Sequence, residues 1–251
     1  MTKPLQAKDL PKDAKERIII ALDVENAADA RDIIEEIRGS VGAFKIGLQL
    51  FTAEGPAFVR ELTRSGLKIF LDLKFHDIPN TVAKASIEAT RLGVWMFNVH
   101  TLGGPEMLRR AAEEVGSACV RENLERPNII GVTVLTSSDS STLSAVGIDP
   151  DIGTEVERLA ATAQACGLDG VVASPNEASL VRRTVNAKEF LVVTPGVRPL
   201  NATSDDQKRV MTSGEAVREG ADYLVIGRPV TGANDKASVI KSIIDEIQQV
   251  Y

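Results

Sequence analysis

Short runs rich in β-branched and other apolar residues recur along the chain, separated by longer stretches whose apolar positions return every three to four residues. Eight short runs read as strands: 17–24, 43–47, 68–74, 96–100, 128–135, 170–174, 190–194 and 222–226. The stretches 27–37, 56–65, 82–92, 105–115, 153–166, 177–184 and 236–250 read as helices. Alternating strand and helix implies a parallel sheet, because parallel neighbours need a crossover between them. Eight such units in 251 residues match the count and length of a single-domain α/β fold, the (β/α)8 TIM barrel. A doubly wound open sheet is the rival, but the first strand ends in Ala21-Leu22-Asp23-Val24 rather than in a GxGxxG phosphate turn. No Pro/Ser-rich linker divides the chain, so residues 16–251 are expected to form the barrel, with residues 1–15 as a polar arm.

Composition narrows the function. The chain is 43% hydrophobic and 25% charged, with a net charge of −6 spread along its length, which argues against a general nucleic-acid or membrane-surface binder. No apolar run approaches the ~18 residues of a membrane span, and the N-terminus is too polar for a secretory signal. A cytoplasmic protein is expected. Cys119 and Cys166 show no metal-ligand spacing and read as buried thiols, and His76 and His100, without paired metal spacing, read as structural. Asn201-Ala202-Thr203 reads as a polar loop.

Charge at the strand ends carries the chemistry. Side chains alternate across a strand, so Ile69, Leu71 and Leu73 face the helices while Phe70, Asp72 and Lys74 point into the barrel. The same phase turns Ile18, Ile20 and Leu22 outward and Asp23 inward. In the second strand it turns Phe44, Ile46 and Leu48 outward and Lys45 inward. Asp23, Lys45, Asp72 and Lys74 therefore meet at the C-terminal mouth, the catalytic end of such barrels, and Asp77 follows in the loop. An ion-pair plug is the bland alternative. Clustered titratable groups favour an active site, and neighbouring carboxylates favour the ammonium form of Lys74, suiting it to proton donation rather than Schiff-base attack.

A second constellation suits phosphate. Pro195-Gly196-Val197-Arg198 follows the seventh strand and Ile226-Gly227-Arg228 the eighth, where barrels commonly hold phosphate on backbone N–H groups and arginine. The polar stretch 198–208 could close over a ligand, with Gln207 offering an amide. Thr136, Ser137 and Ser138 could hydrogen-bond a polar ring.

The run Asp72-Leu73-Lys74-Phe75-His76-Asp77-Ile78-Pro79-Asn80-Thr81 closely resembles the signature of the orotidine 5′-monophosphate decarboxylase family in its bacterial form. Ala21-Leu22-Asp23, Phe44-Lys45-Ile46-Gly47, Asn98-Val99-His100, Val134-Leu135-Thr136-Ser137, Pro195-Gly196-Val197-Arg198 and Ile226-Gly227-Arg228-Pro229 extend the resemblance over all but the arm. It implies a homodimer that converts orotidine monophosphate to UMP and carbon dioxide at the subunit interface, with no cofactor and no metal. On that resemblance Lys74 donates the proton, Asp72 sits against the substrate carboxylate, and Lys45 and the second subunit's Asp77 hold Lys74 in place. Asp23 and Lys45 meet the ribose, Thr136 the pyrimidine, and Ile78 and Thr81 line the pocket across the interface. Arg198, Gln207, Gly227 and Arg228 take the phosphate.

Two other readings remain. A sugar-phosphate decarboxylase of the same superfamily resembles a magnesium enzyme, but Lys45 stands where such relatives look to carry a metal-ligating Glu. A silent nucleotide-binding barrel would leave the Asp72, Lys74 and Asp77 set without a purpose.

Overall fold

The computed structural model describes residues 10–11, 13–198 and 211–250. Gln207, the tripeptide 201–203 and most of the arm lie outside the described residues. Eight strands, β1 (Ile18–Ala21), β2 (Ala43–Gly47), β3 (Ile69–Phe75), β4 (Met96–His100), β5 (Asn128–Val132), β6 (Gly170–Val172), β7 (Leu191–Pro195) and β8 (Tyr223–Ile226), pair in parallel and in sequence order. The ring closes between β8 and β1, with Ile19 opposite Val225, so the open-sheet alternative is excluded.

Ten α-helices accompany them among the described residues: α1 (Ala27–Ile37), α2 (Leu48–Arg64), α3 (Pro79–Arg91), α4 (Gly104–Glu122), α5 (Ser140–Ala145), α6 (Ile152–Ala165), α7 (Ala178–Thr184), α8 (Ser213–Arg218), α9 (Arg228–Thr231) and α10 (Lys236–Gln248). α1 shows the local logic. Asn26 caps it by accepting the Asp29 N–H, and Ala30, Ile33, Ile34 and Ile37 form the stripe it buries on the sheet. The helix expected at 56–65 is the second half of α2, which is broken at Gly55 (φ +71) and restarts at Pro56. The short helices α5 and α8 are held by their caps, Asp139 for α5 and a Thr212/Glu215 capping box for α8.

Alternation along each strand divides the core in two. Ile19, Ala21, Ala43, Phe70, Met96, Ile130, Leu191, Val193, Tyr223 and Val225 fill the barrel, whereas Ile18, Ile20, Leu22, Phe44, Ile46, Ile69 and Leu71 pack outward against the helices. Leu48 departs from the expected phase. The strand ends at Gly47, so Leu48 opens α2 and is 58% exposed rather than packed on the sheet.

At the N-terminal face two carboxylates stitch neighbouring strands. Asp169 accepts the Ile129 N–H at 2.7 Å and pairs with Arg126, and Asp222 accepts the Val192 N–H at 2.8 Å and pairs with Arg182. Each carboxylate takes a backbone donor at the start of a strand where the ladder leaves it unpaired. Burial pushes the Asp222 carboxyl above its ordinary value despite the guanidinium beside it. Removing it by Asp222→Ala strands the Val192 N–H and leaves the part-buried Arg182 guanidinium with only the Gly220 and Phe190 carbonyls and no countercharge, and should cost about 3 kcal/mol in urea unfolding. An unchanged midpoint would show that the pair is dispensable.

At the other face β4 ends in His100, whose ring stacks on His76 with centroids 5.4 Å apart. Burial, followed by the charges of His76 and Lys74, holds the His100 pKa below its ordinary 6.5. The unfolded chain then binds more protons than the folded one once pH falls below 6.5, so folding stability drops as pH falls through that value. His100→Gln should reduce the loss of unfolding midpoint between about pH 7.5 and 5.5, measured by thermal unfolding against the unsubstituted protein. Equal losses in the two proteins would assign the effect elsewhere.

Candidate active site

The C-terminal ends of the strands surround a cavity of about 950 Å³, within the range of small-molecule sites. Asp23, Lys45, Asp72, Lys74, Thr136, Ser137, Gly196, Arg198, Gly227 and Arg228 all line it. Ten residues from six separate segments thus converge where phase and strand order place them.

Lys45 is the most deeply placed charge of this cavity, only 8% exposed, and it lies between two carboxylates. Its Nζ donates to Asp23 Oδ1 at 3.1 Å and stands 3.2 Å from Asp72 Oδ2. Gly47, two residues on, leaves room for this ammonium, since a methyl there would stand 3.1 Å from Lys45 Nζ. Lys74 Nζ donates to the other Asp72 oxygen, Oδ1, at 2.7 Å. Asp72 is therefore shared between two ammonium groups, one on each oxygen.

Burial alone would raise the Asp72 carboxyl, but Lys45 and Lys74, aided by hydrogen bonds from Lys74 and Asn98, outweigh it and hold the group below its ordinary value. The carboxylate stays ionised, and Lys74 is anchored as a charged donor facing the cavity. Asn98, 1% exposed on β4, contacts this cluster through Asp72 and had no role in the charge pattern, which registers only ionisable residues. Its placement on a strand between β3 and β5 is the signal that could have found it.

The opposite end of the cavity offers N–H and guanidinium groups. Gly196, at φ +82, turns the chain after β7, and Arg198 N–H donates to the Met211 carbonyl at 3.2 Å, bringing the two flanks of residues 199–210 together. Gly227 and Arg228 open α9 after β8. Asp77, Ile78 and Thr81 are exposed and do not line the cavity of their own chain; Ile78 is 67% exposed. Cys119 and Cys166 are buried, and burial pushes both thiols up. Among the described residues no group of three or more His, Cys, Asp or Glu side chains could hold a metal ion, and no helix is long and apolar enough to cross a membrane.

A protein named orotidine 5′-phosphate decarboxylase from Syntrophotalea carbinolica is 51% identical over 235 residues, 94% of this chain and 96% of the relative. One of the same name from Geobacter sulfurreducens is 52% identical over 93% of this chain and 97% of its own. The crystal structure of orotidine 5′-phosphate decarboxylase from Lactobacillus acidophilus superposes with a TM-score of 0.80 at 33% identity, covering 92% of this chain and 98% of that one. The model of the orotidine 5′-phosphate decarboxylase / HUMPS family matches residues 16–243, and the chain belongs to that family.

Proposed function

We propose that the protein decarboxylates orotidine 5′-monophosphate to UMP and carbon dioxide, a step of pyrimidine nucleotide synthesis, with Lys74 as proton donor and without a metal or organic cofactor. The observation that carries this reading is the Lys74 ammonium fixed on Asp72 inside a cavity whose far end presents Arg198 and Arg228. Relatives at about half identity over nearly the whole chain carry the decarboxylase name.

The chemistry asks for such an ammonium. When the bond from the ring to the carboxylate breaks, carbon dioxide leaves and the electron pair stays in an in-plane orbital that the ring cannot delocalise. Negative charge then grows at one carbon, and a fixed ammonium stabilises it more in the transition state than in the substrate. The proton passes from Lys74 Nζ to that carbon, giving UMP, and solvent restores the lysine. Asp72 positions the donor and stands where it would face the substrate carboxylate. Asp23 and Lys45 meet the ribose hydroxyls, Thr136 the pyrimidine, and Gly227, Arg228, Arg198 and Gln207 the phosphate. The phosphate is remote from the reacting bond, and its binding orients the ring.

Lys45 separates this reading from a metal-dependent sugar-phosphate decarboxylase. Its ammonium, 3.2 Å from Asp72, stands where such an enzyme would need a carboxylate ligand, and its charge opposes a divalent cation beside that carboxylate. A homodimer completes the site: the exposed Asp77, Ile78 and Thr81 lie outside their own cavity and are available to a second copy, where Asp77 would brace the Lys74 of the partner subunit.

Two measurements test the proposal. Loss of orotidine monophosphate absorbance in chelator-containing buffer should proceed with the unsubstituted protein and fall at least about a thousandfold in Lys74→Ala. Retained turnover in Lys74→Ala would remove the lysine from the mechanism, and no turnover by the folded unsubstituted protein would remove the reaction. Mixing inactive Lys74→Ala with inactive Asp77→Ala should restore roughly a quarter of full activity, because half the dimers are mixed and each mixed dimer has one intact site. No recovery after subunit exchange would place Asp77 in its own chain's site.

A further inference from the structure

β3 and β4 do not pair evenly. Leu71 lies opposite Phe97, and pairing resumes at Phe75 opposite Val99, so Asp72, Leu73 and Lys74 face the single residue Asn98. Two extra residues on β3 interrupt the ladder there. Lys74 takes φ +52, a left-handed conformation that a non-glycine residue holds only where its surroundings enforce it.

The Asn98 amide spans the irregularity. Its Oδ1 accepts the Lys74 N–H at 2.8 Å, and its Nδ2 donates to Asp72 Oδ1 at 2.7 Å. The orientation is forced, since a backbone N–H can only donate and an ionised carboxylate can only accept. The Asp72 oxygen that takes the amide is the one that takes Lys74 Nζ. Asn98 itself is anchored in register with Ile130 of β5. One buried side chain thus grips the backbone of Lys74 and the carboxylate that its ammonium rests on.

We propose that Asn98 is a positioning residue for the decarboxylation, holding Lys74 in its left-handed conformation so that the ammonium stands on Asp72 and faces the reacting carbon. This rests on Lys74 being the proton donor. Without the amide, the Lys74 N–H loses its partner inside the bulge, the backbone relaxes towards extended geometry, and Nζ leaves its place. The phosphate end, at β7 and β8, is untouched.

The test uses Asn98→Ala and Asn98→Asp beside the unsubstituted protein and Lys74→Ala. Asn98→Ala should lower kcat on the order of a hundredfold or more, because displacement of about 1 Å at a reacting group costs that much, while KM stays within about threefold. Asn98→Asp keeps the acceptor for Lys74 N–H but sets a second carboxylate against Asp72, and regains the donor only when protonated. Its kcat relative to the unsubstituted protein should therefore rise as pH falls from about 8 to 5. The other charged groups around this point, Asp23, Lys45 and Lys74 with His76 and His100 beside it, are present in both proteins, so the ratio reports the added carboxylate and its coupling to them. A crystal structure of either variant should show Lys74 out of the positive-φ region. A kcat within about threefold of the unsubstituted protein, a KM that rises in step with the fall in kcat, a flat ratio against pH, or an unchanged Lys74 backbone would each overturn the positioning role. If Lys74→Ala stays active, the proton-donor reading fails instead; the Lys74 backbone in the variant structures still decides whether Asn98 sets its conformation.

Discussion

The mouth of the barrel depends on one carboxylate, Asp72, held between two ammonium groups. A lone charge removed from water costs several kcal/mol, and Lys45, 8% exposed, could not be kept there without partners. Asp72 and Asp23 both serve it, and Asp72 also serves Lys74. The four groups sum to zero charge, so the cluster is tolerable as a unit and intolerable in part. Its members therefore come as a set from the ends of three consecutive strands, and none can be read alone.

Strand order makes that possible, and the two faces of the barrel use charge differently. At the N-terminal face Asp169 and Asp222 spend their lone pairs on backbone N–H groups and on Arg126 and Arg182, which ties strand to strand. At the C-terminal face Asp72 bonds side chains, and the ammonium of Lys74 is directed into a cavity. The first arrangement stabilises closure of the sheet. The second holds a charge where a ligand can meet it, which is what a preorganised site requires.

Much of this was legible in the chain. Strand and helix periods identify the eight units, and period-two phase puts Asp23, Lys45, Asp72 and Lys74 on the inner face because outward neighbours such as Ile18, Phe44 and Leu71 are uniformly apolar. Leu48 broke that rule because Gly47 ends the strand and a helix begins, and phase cannot be carried across such a boundary. The short helices α5 and α8 were hidden because six residues hold too few turns to show a period, and their caps carry the signal instead. Asn98 lies on a strand that the pattern does identify, but the bulge it faces was invisible for a deeper reason. A two-residue excess on β3 is a property of pairing between strands, and no one-strand pattern records it.

That hidden feature bears on how the charge is kept ready. A left-handed lysine costs on the order of 1–3 kcal/mol, and the fold retains it because two short hydrogen bonds through Asn98 and one through Asp72 are lost together if the backbone relaxes. Strain and hydrogen bonding thus act on the same few atoms with opposite sign. The balance leaves Lys74 with little freedom before any ligand arrives. On the proposed reaction this is where the advantage lies, since an ammonium that need not reorganise as carbanion charge develops gives its full stabilisation to the transition state. A flexible lysine of identical charge would spend part of that stabilisation on being ordered.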